Sequence, residues 1–404
     1  MNLTLLFRFA ILFEILWGAH AWFTWNIDSS RIMQYTMYCI IALIAYNYKK
    51  KKRIRLKATP AVVFGFVCYI IGVMFSNRFS LPSLVGVFLT LYVVWVTLSD
   101  KENVNGHLEF ISKGLAWIFI PGILLFVVTR YVALPGFIIQ KGNSEDYIFI
   151  NQIFLIQRVS GFDESADRFH SIFLEPGFIG SMLSFLLFAI KYNFSKWYNK
   201  VLLVALLFSL SLAGYMMTFI GYIIYLLVEG KSLRKIVVFS ILMSIAYMVS
   251  IDYNNGDNLV NRSIIERLQP DEEKGIAGNN RTGEGTEFYY KQAIKNGDIW
   301  LGLGVEKVSQ INGGSSSSAG YDTNIRGAGY KVYFVTRGVI SALFFLAFYY
   351  LMAKACNRRT MLNICGAIFV IIMFVPQSTP QSFSWIFPYI LGMLNYNNDK
   401  MLKR

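Results

Sequence analysis

Y-K-K-K-K-R-I-R-L-K-A, residues 48–58, separates two apolar blocks: I-M-Q-Y-T-M-Y-C-I-I-A-L-I-A-Y-N at 32–47 and T-P-A-V-V-F-G-F-V-C-Y-I-I-G-V-M-F-S at 59–76. Apolar blocks approaching twenty residues match the hydrocarbon thickness of a bilayer and read as membrane helices. The cations between them are Lys49, Lys50, Lys51, Lys52, Arg53, Arg55 and Lys57. Short basic loops stay on the cytoplasmic side, so this loop sets the orientation of everything around it.

Working outward, the same reading gives twelve spans, at roughly 3–24, 32–47, 59–76, 79–98, 113–133, 175–192, 199–212, 214–229, 233–251, 332–353, 361–377 and 382–396. Alternate loops agree with the first. Lys191, Lys196 and Lys200 fall inside, as do Lys231, Arg234 and Lys235, then Lys354, Arg358 and Arg359, and the tail with Lys400, Lys403 and Arg404. Both termini are therefore expected in the cytoplasm. Ala19-His20-Ala21 resembles a cleavage site, but Glu14 interrupts the apolar region, so the first span reads as a retained helix. The pair 199–212 and 214–229 is short and split around Ala213-Gly214, which fits one helix beside a re-entrant element.

Composition agrees. Of 404 residues, 55% are hydrophobic and only 15% charged, against about 25% charged in an average soluble protein. The net charge of +14 would point a soluble chain towards nucleic acid; here loop lysines and arginines account for it, and no nucleic-acid partner is expected. Cys39, Cys68, Cys356 and Cys365 lie in or beside apolar blocks, so no disulfide is expected, and their spacing fits no zinc pattern. His107 reads as a solvated residue of a cytoplasmic loop, Arg8 and Glu14 as a helix pair or interface residues, and Arg130 as a snorkelling side chain at the outer interface.

This topology exports two long segments, about 134–174 and 252–331, and connections of that length are functional or disordered. The first ends R-F-H-S-I-F-L-E-P-G-F-I-G, residues 168–180. Pro176 suits the first turn of the next helix and Glu175 its cap. With Arg168, that helix start makes a candidate anion site; the bland alternative pairs Arg168 with Asp163, Glu164 or Asp167. The second segment carries Asn280-Arg281, a helical stretch from Glu287 to Lys295, I-W-L-G-L-G at 299–304 and a Gly/Ser linker at 313–320. Arg326-Gly327-Ala328-Gly329-Tyr330-Lys331 then leads into a span that holds Arg337 and Gly338 two turns inside. An intramembrane arginine is costly and is a functional candidate for that reason.

These features, in this order, resemble the Wzy-type polysaccharide polymerases of the O-antigen polymerase/ligase superfamily. The segments that carry the resemblance are 168–180, Asn280-Arg281, I-W-L-G-L-G, and A-G-Y-K-V-Y with T-R-G at 328–338; S-L-S-L-A-G-Y-M-M-T at 209–218 sits at a polar break. Two departures stand out. Eleven residues separate Arg168 from Gly180 where some members have ten, and no histidine precedes the span after the second segment, where related ligases carry one. The resemblance implies an all-α, GT-C-like polytopic fold of about twelve helices in a bacterial cytoplasmic membrane. Its substrates would be a polyprenyl-pyrophosphate-linked glycan donor and a lipid-linked acceptor, with membrane lipid, a chain-length regulator and a flippase as partners. An acceptor hydroxyl would displace the pyrophosphate lipid with inversion.

Arginines suit the growing charge of that leaving group, because a planar fork meets phosphate oxygens bidentately. Arg168 and Arg281 are the first candidates, with Glu175 or His170 as base. Arg326, Arg337, Lys331, Tyr330 and Trp300 are candidate substrate contacts, and Tyr289 and Tyr290 could stack on sugars. No H-E-x-x-H, and no D-x-D in the outer segments, points to a metal, so metal-independent chemistry without a cofactor is expected. Rival readings are a lipid-linked oligosaccharide flippase, which calls for repeated halves, and an O-antigen ligase, which calls for the missing histidine. A cysteine placed at Ser316 should react with an impermeant maleimide only from outside the cell; reaction solely from the cytoplasmic side would overturn the orientation.

Overall fold

The computed structural model describes residues 2–77, 81–141, 148–159, 168–231, 283–313, 325, 327 and 329–401, with single positions between 234 and 276. It is mostly helical. The helices are α1 (Leu3–Gly18), α2 (Trp25–Ser29), α3 (Arg31–Lys52), α4 (Pro60–Asn77), α5 (Leu81–Ser99) and α6 (Val104–Val128), then α7 (Pro176–Ala189), α8 (Trp197–Phe208) and α9 (Leu212–Val228). They continue with α10 (Glu284–Asn296), α11 (Val305–Gly313), α12 (Tyr330–Cys356), α13 (Thr360–Phe374) and α14 (Phe383–Met401). Eleven of the twelve apolar blocks thus form helices close to their expected places, and the block 233–251 lies mostly outside the described residues. Among the described residues, two helices, Lys101–Val128 and Tyr330–Cys356, are long and apolar enough to cross a membrane. By contrast, α7 and α8 have only 14 and 12 residues.

Local chemistry sets the ends. Ser30 accepts from the Met33 amide at the start of α3. Four lysines, Lys49 to Lys52, occupy its last turn, where cations meet the negative end of the helix dipole. Pro176 opens α7 with Glu175 at the cap, although that carboxylate makes no capping hydrogen bond.

Most of the helices share one apolar core, while α10 and α11 pack in a smaller cluster with Val335 of α12. Phe185 of α7 meets Trp385 of α14 at 5.1 Å, Phe188 meets Phe369 of α13 at 5.1 Å, and Tyr349 of α12 meets Tyr389 of α14 at 5.0 Å. Gly180 and Gly214 bring α7 and α9 close; a Cβ on Gly214 would sit 2.7 Å from the Gly180 Cα. Small residues at such crossings let helix backbones approach.

The bundle has two distinct ends. At one, residues 52–59 and 98–103 meet around a cavity with Ala355, 190–199 meets 222–231 around another, and Arg359 pairs with Glu229 at 3.2 Å. This end carries the basic loops. At the other end, Trp22 donates its amide to Ile172 O at 2.9 Å, Phe169 to Phe208 O at 3.1 Å and Tyr330 to Val375 O at 3.2 Å.

Four expectations need correcting. His107 is not solvated: it is fully buried on α6, with Nε2 2.8 Å from Asp100 Oδ2. Tyr48 donates to the same oxygen at 2.6 Å, and Asn103 to Oδ1 at 2.7 Å. Burial alone would raise the Asp100 carboxyl, but hydrogen bonds from His107, Tyr48 and Asn103 hold it below its ordinary value. Helix α6 starts nine residues earlier than the apolar block because this network satisfies its polar first turn. Glu14 is buried, and neither of its carboxyl oxygens has a hydrogen-bond partner among the described residues, so it forms no pair with Arg8. The break between α8 and α9 lies at Ser209–Ser211, not at Ala213-Gly214; Leu210 turns left-handed (φ 45°) and Ser211 accepts from the Gly214 amide. Finally, the segment 134–174 is not wholly irregular or helical. It holds an antiparallel sheet of β1 (Phe137–Gln140), β2 (Ile148–Asn151) and β3 (Ile156–Arg158), with Ile150 opposite Ile138 and Gln157. Phe149 and Ile156 bury against Trp25 and Leu174, which ties the sheet to the end of the bundle.

Helix α12 is broken at Gly338, whose φ of 83° and ψ of 159° leave the helical region. A break strands the carbonyls of the preceding turn, and a buried carbonyl without a donor is costly. Here I-W-L-G-L-G supplies the donors: Leu303 N reaches Val335 O at 2.7 Å and Gly304 N reaches Thr336 O at 2.9 Å. The approach needs glycine on both sides. A Cβ on Gly338 would lie 2.4 Å from Trp300 O, and one on Gly302 2.6 Å from Gly338 N, with both residues at positive φ. Gly338→Ala and Gly302→Ala should each destabilise the protein by about 1–3 kcal/mol. They break the same contact, so the double variant should unfold in detergent at a temperature close to that of the worse single variant. Additive losses would show that the two glycines act separately.

Candidate functional site

Arg337 sits immediately before the break in α12. Its guanidinium lies 5.8 Å from the Tyr333 ring centre. The Tyr333 hydroxyl and Ser341 Oγ are 2.9 Å apart, and Ser341 donates to Gly72 O of α4 at 2.8 Å. The arginine is therefore carried on a backbone fixed from two sides, by the 299–304 segment and by α4.

Arg337 lines a cavity of about 380 Å³ at the end opposite the basic loops. Helix α3 supplies Gln34, Tyr35 and Tyr38, α4 supplies Tyr69, and the connection before α14 supplies Thr379, Gln381 and Ser382. Trp17, Gly18, His20 and Asp28 close the remaining side. One cation, one carboxylate, one imidazole and several aromatic rings thus face a common space. That set can bind an anion, hydrogen-bond hydroxyls and stack on an apolar ring face.

The His20 side is rigidly built. Its backbone is left-handed (φ 56°), which a non-glycine residue keeps only where its surroundings enforce it. Trp25 Nε1 donates to His20 O at 3.0 Å and the Leu174 amide to the same oxygen at 3.3 Å. An isolated antiparallel bridge joins Ala21 to Phe173. The imidazole stands edge-on to Phe178 at 4.9 Å, and its Nδ1 is 3.4 Å from Asp28 Oδ2. Trp17 Nε1 donates to Asp28 Oδ1 at 2.7 Å. Burial would raise the Asp28 carboxyl, yet the imidazole of His20 beside it, the hydrogen bond from Trp17 and the charge of Lys141 hold it below the ordinary carboxylate range. Lys141 is lowered by its own burial, opposed by the charges of Asp28 and Glu175.

The residues singled out from sequence fall into three groups. Arg337 lines the cavity. Glu175 occupies the N-cap position of α7 without a capping hydrogen bond, within electrostatic reach of Lys141. Arg168 and His170 do not line the cavity: Arg168 Nε donates to Ser209 O at 3.3 Å, at the α8–α9 break, and His170 is buried with Nδ1 2.7 Å from Phe173 O. Lys331 pairs with Glu287 of α10 and lies 5.6 Å from the Tyr290 ring centre. Tyr330 packs on Tyr290 and Phe334, whereas Trp300 is largely exposed on the segment that seals the break. Arg130 stacks on Phe126 at 4.5 Å. Arg281 and Arg326, the Gly/Ser linker and the acidic residues considered for Arg168 lie outside the described residues, Gly313 of the linker excepted. Two residues escaped the sequence reading, His20 and Asp28. The one available signal was a histidine and an aspartate in a tryptophan-rich turn between two apolar blocks. Among the described residues, no three His, Cys, Asp or Glu side chains are grouped to hold a metal ion.

Comparisons with protein-family models, with curated proteins and with solved structures give no match.

Burial, helped by the charges of Arg168 and Arg158, brings the His170 imidazole down to about 4 against the opposing effect of its hydrogen bond to Phe173 O. The folded state thus favours neutral His170, while an unfolded histidine takes up its proton near about 6.5. The stability this residue confers is complete above that value and is lost as pH falls towards about 4. Thermal unfolding in detergent at pH 7 and pH 4.5 should show a drop that is smaller in His170→Asn. An equal drop in both proteins would remove His170 as its source.

Proposed function

We propose that this chain is a multi-pass protein of a bacterial cytoplasmic membrane that polymerises polyprenyl-pyrophosphate-linked oligosaccharide repeat units at the outer face. In this reading all twelve apolar blocks span the membrane, with both termini inside.

The helix surfaces support the membrane half of the proposal. Leu43 of α3, Phe64 of α4, Phe88 of α5, Trp117 and Leu124 of α6, Leu207 of α8 and Leu343 of α12 are all more than half exposed. Apolar side chains this numerous on the outside of a bundle suit lipid better than water. The basic loops gather at one end, as the cytoplasmic side requires.

The observation that carries the enzymatic half is Arg337, held at the broken turn of α12 and lining an aromatic, polar cavity at the other end. In the reaction, a sugar hydroxyl of one lipid-linked unit attacks the anomeric carbon of the other. The new carbon–oxygen bond forms as the bond from that carbon to the diphosphate breaks, and the electron pair leaves with the diphosphate. Arg337 faces that growing charge in a site of low dielectric, where a fixed guanidinium is most effective. Tyr35, Tyr38 and Tyr69 offer ring faces to the sugars. Arg281 and Arg326 are assigned to the same anion on sequence grounds, and Arg168 to holding the strap that carries Glu175.

The test is reconstitution in liposomes with the lipid-linked repeat unit of the source organism. The wild-type chain should produce a polymer ladder, with a chelator present. Arg337→Ala should lose about 100-fold or more in rate, and Arg337→Lys should recover part of it. Equal ladders from Arg337→Ala and wild type would sink the assignment. Movement of the lipid-linked unit across the bilayer without any polymer would favour a flippase instead.

A further inference from the structure

We propose that His20 is the general base of this transfer and that Asp28 is its positioning residue. The inference rests on the polymerase reading, which left the base unassigned.

Three histidines occur in the chain. His107 is engaged with Asp100 at the basic end, and His170 is buried against Phe173 O. His20 alone of the three lines the cavity that holds Arg337. Its side chain is 33% exposed, so a hydroxyl can reach it. Asp28 Oδ2 stands opposite Nδ1, which leaves Nε2 to accept a proton. The contact is long at 3.4 Å, as such contacts often are before substrate fills a site. Asp28 is itself fixed, through Trp17 Nε1 at one carboxylate oxygen and through Gln34 Nε2, which donates to its main-chain oxygen at 2.8 Å. The left-handed backbone at His20 is strain of the kind that marks functional positions. The strap 172–174 clamps it there, with the Trp22 amide on Ile172 O and the Leu174 amide on His20 O.

The proton balance is complete. Nε2 takes the proton of the acceptor hydroxyl as its oxygen bonds to the anomeric carbon. The pair from the broken bond goes to the diphosphate facing Arg337. The imidazolium, stabilised by Asp28, returns its proton to solvent. Of the other charged groups, Arg337 lines the same cavity with Tyr35, Tyr38 and Tyr69, Lys141 just past β1 is within electrostatic reach of Asp28, and Glu175 is within reach of Lys141.

The experiment uses the full chain, reconstituted with the lipid-linked repeat unit. Asparagine tolerates a left-handed backbone, so His20→Asn keeps the turn and removes the base. Its polymerisation rate should fall by about 100-fold or more. Thermal stabilisation by polyprenyl pyrophosphate, which reports Arg337 and the cavity, should stay at the wild-type level. Asp28→Asn should slow the reaction less than His20→Asn does, and Asp28→Glu should restore part of the rate. The acid limb of the wild-type pH–rate profile should vanish in His20→Asn. Two results would overturn the inference: a His20→Asn rate close to wild type, or loss of rate in step with loss of polyprenyl pyrophosphate stabilisation. A wild-type chain that makes no polymer would sink the underlying reading instead, so the two failures are distinct.

Discussion

Two backbone hydrogen bonds, from Leu303 and Gly304 to the carbonyls of Val335 and Thr336, make the site possible. A 27-residue helix does not break in an apolar core without stranding polar groups. Gly338 permits the break, and the amides of I-W-L-G-L-G take up the carbonyls it exposes. Arg337 is the residue next to it. A guanidinium in such surroundings is expensive to bury, and the turn fixes the backbone from which it reaches the cavity. The second connecting segment therefore acts first as a structural plug and only then as a neighbour of the cavity.

A parallel arrangement serves the opposite wall. The turn after α1 would be a loose connection on its own. It is stitched to residues 172–174, and the sheet of β1, β2 and β3 packs against Trp25 beneath it. Thus the two connecting segments that look alike in composition do equivalent work: each clamps a strained backbone turn from outside. The strained residues, His20 just past α1 and Gly338 within α12, belong to different helices, yet His20 and the Arg337 that precedes Gly338 line one cavity.

Much of this was legible in the sequence, and for definable reasons. The helices follow from block length and hydropathy, which need no tertiary information. The motifs 168–180 and 299–304 stood out in the sequence, as did an intramembrane Arg337 followed by Gly338. Their roles were hidden, because a supporting backbone amide leaves no mark in side-chain chemistry. Arg168 reads as an anion ligand but donates to Ser209 O at a helix break. His20 was overlooked because it becomes meaningful only when Asp28, eight residues on, folds back against it. His107 was misread because its partner Asp100 lies outside the apolar block, and nothing in a hydropathy profile reports a buried hydrogen-bond network. The sheet in 137–158 was missed because its strands have only three or four residues.

The brevity of α7 and α8 has a consequence for the surrounding lipid. At 1.5 Å per residue they reach about 21 and 18 Å, against a hydrocarbon layer of about 30 Å, while the neighbouring α6 is long enough to traverse it fully. Helix α7 is almost wholly buried, so in a bilayer it is the lipid beside α8, where Val204, Leu207 and Phe208 are exposed, that would thin, at a modest cost for every ångström of mismatch. On the membrane reading, the bilayer dips along one flank of the bundle. On the proposed polymerase reading, a long-chain polyprenyl substrate approaching from that flank would carry its diphosphate deeper than the bulk headgroup plane, which shortens its path to the cavity.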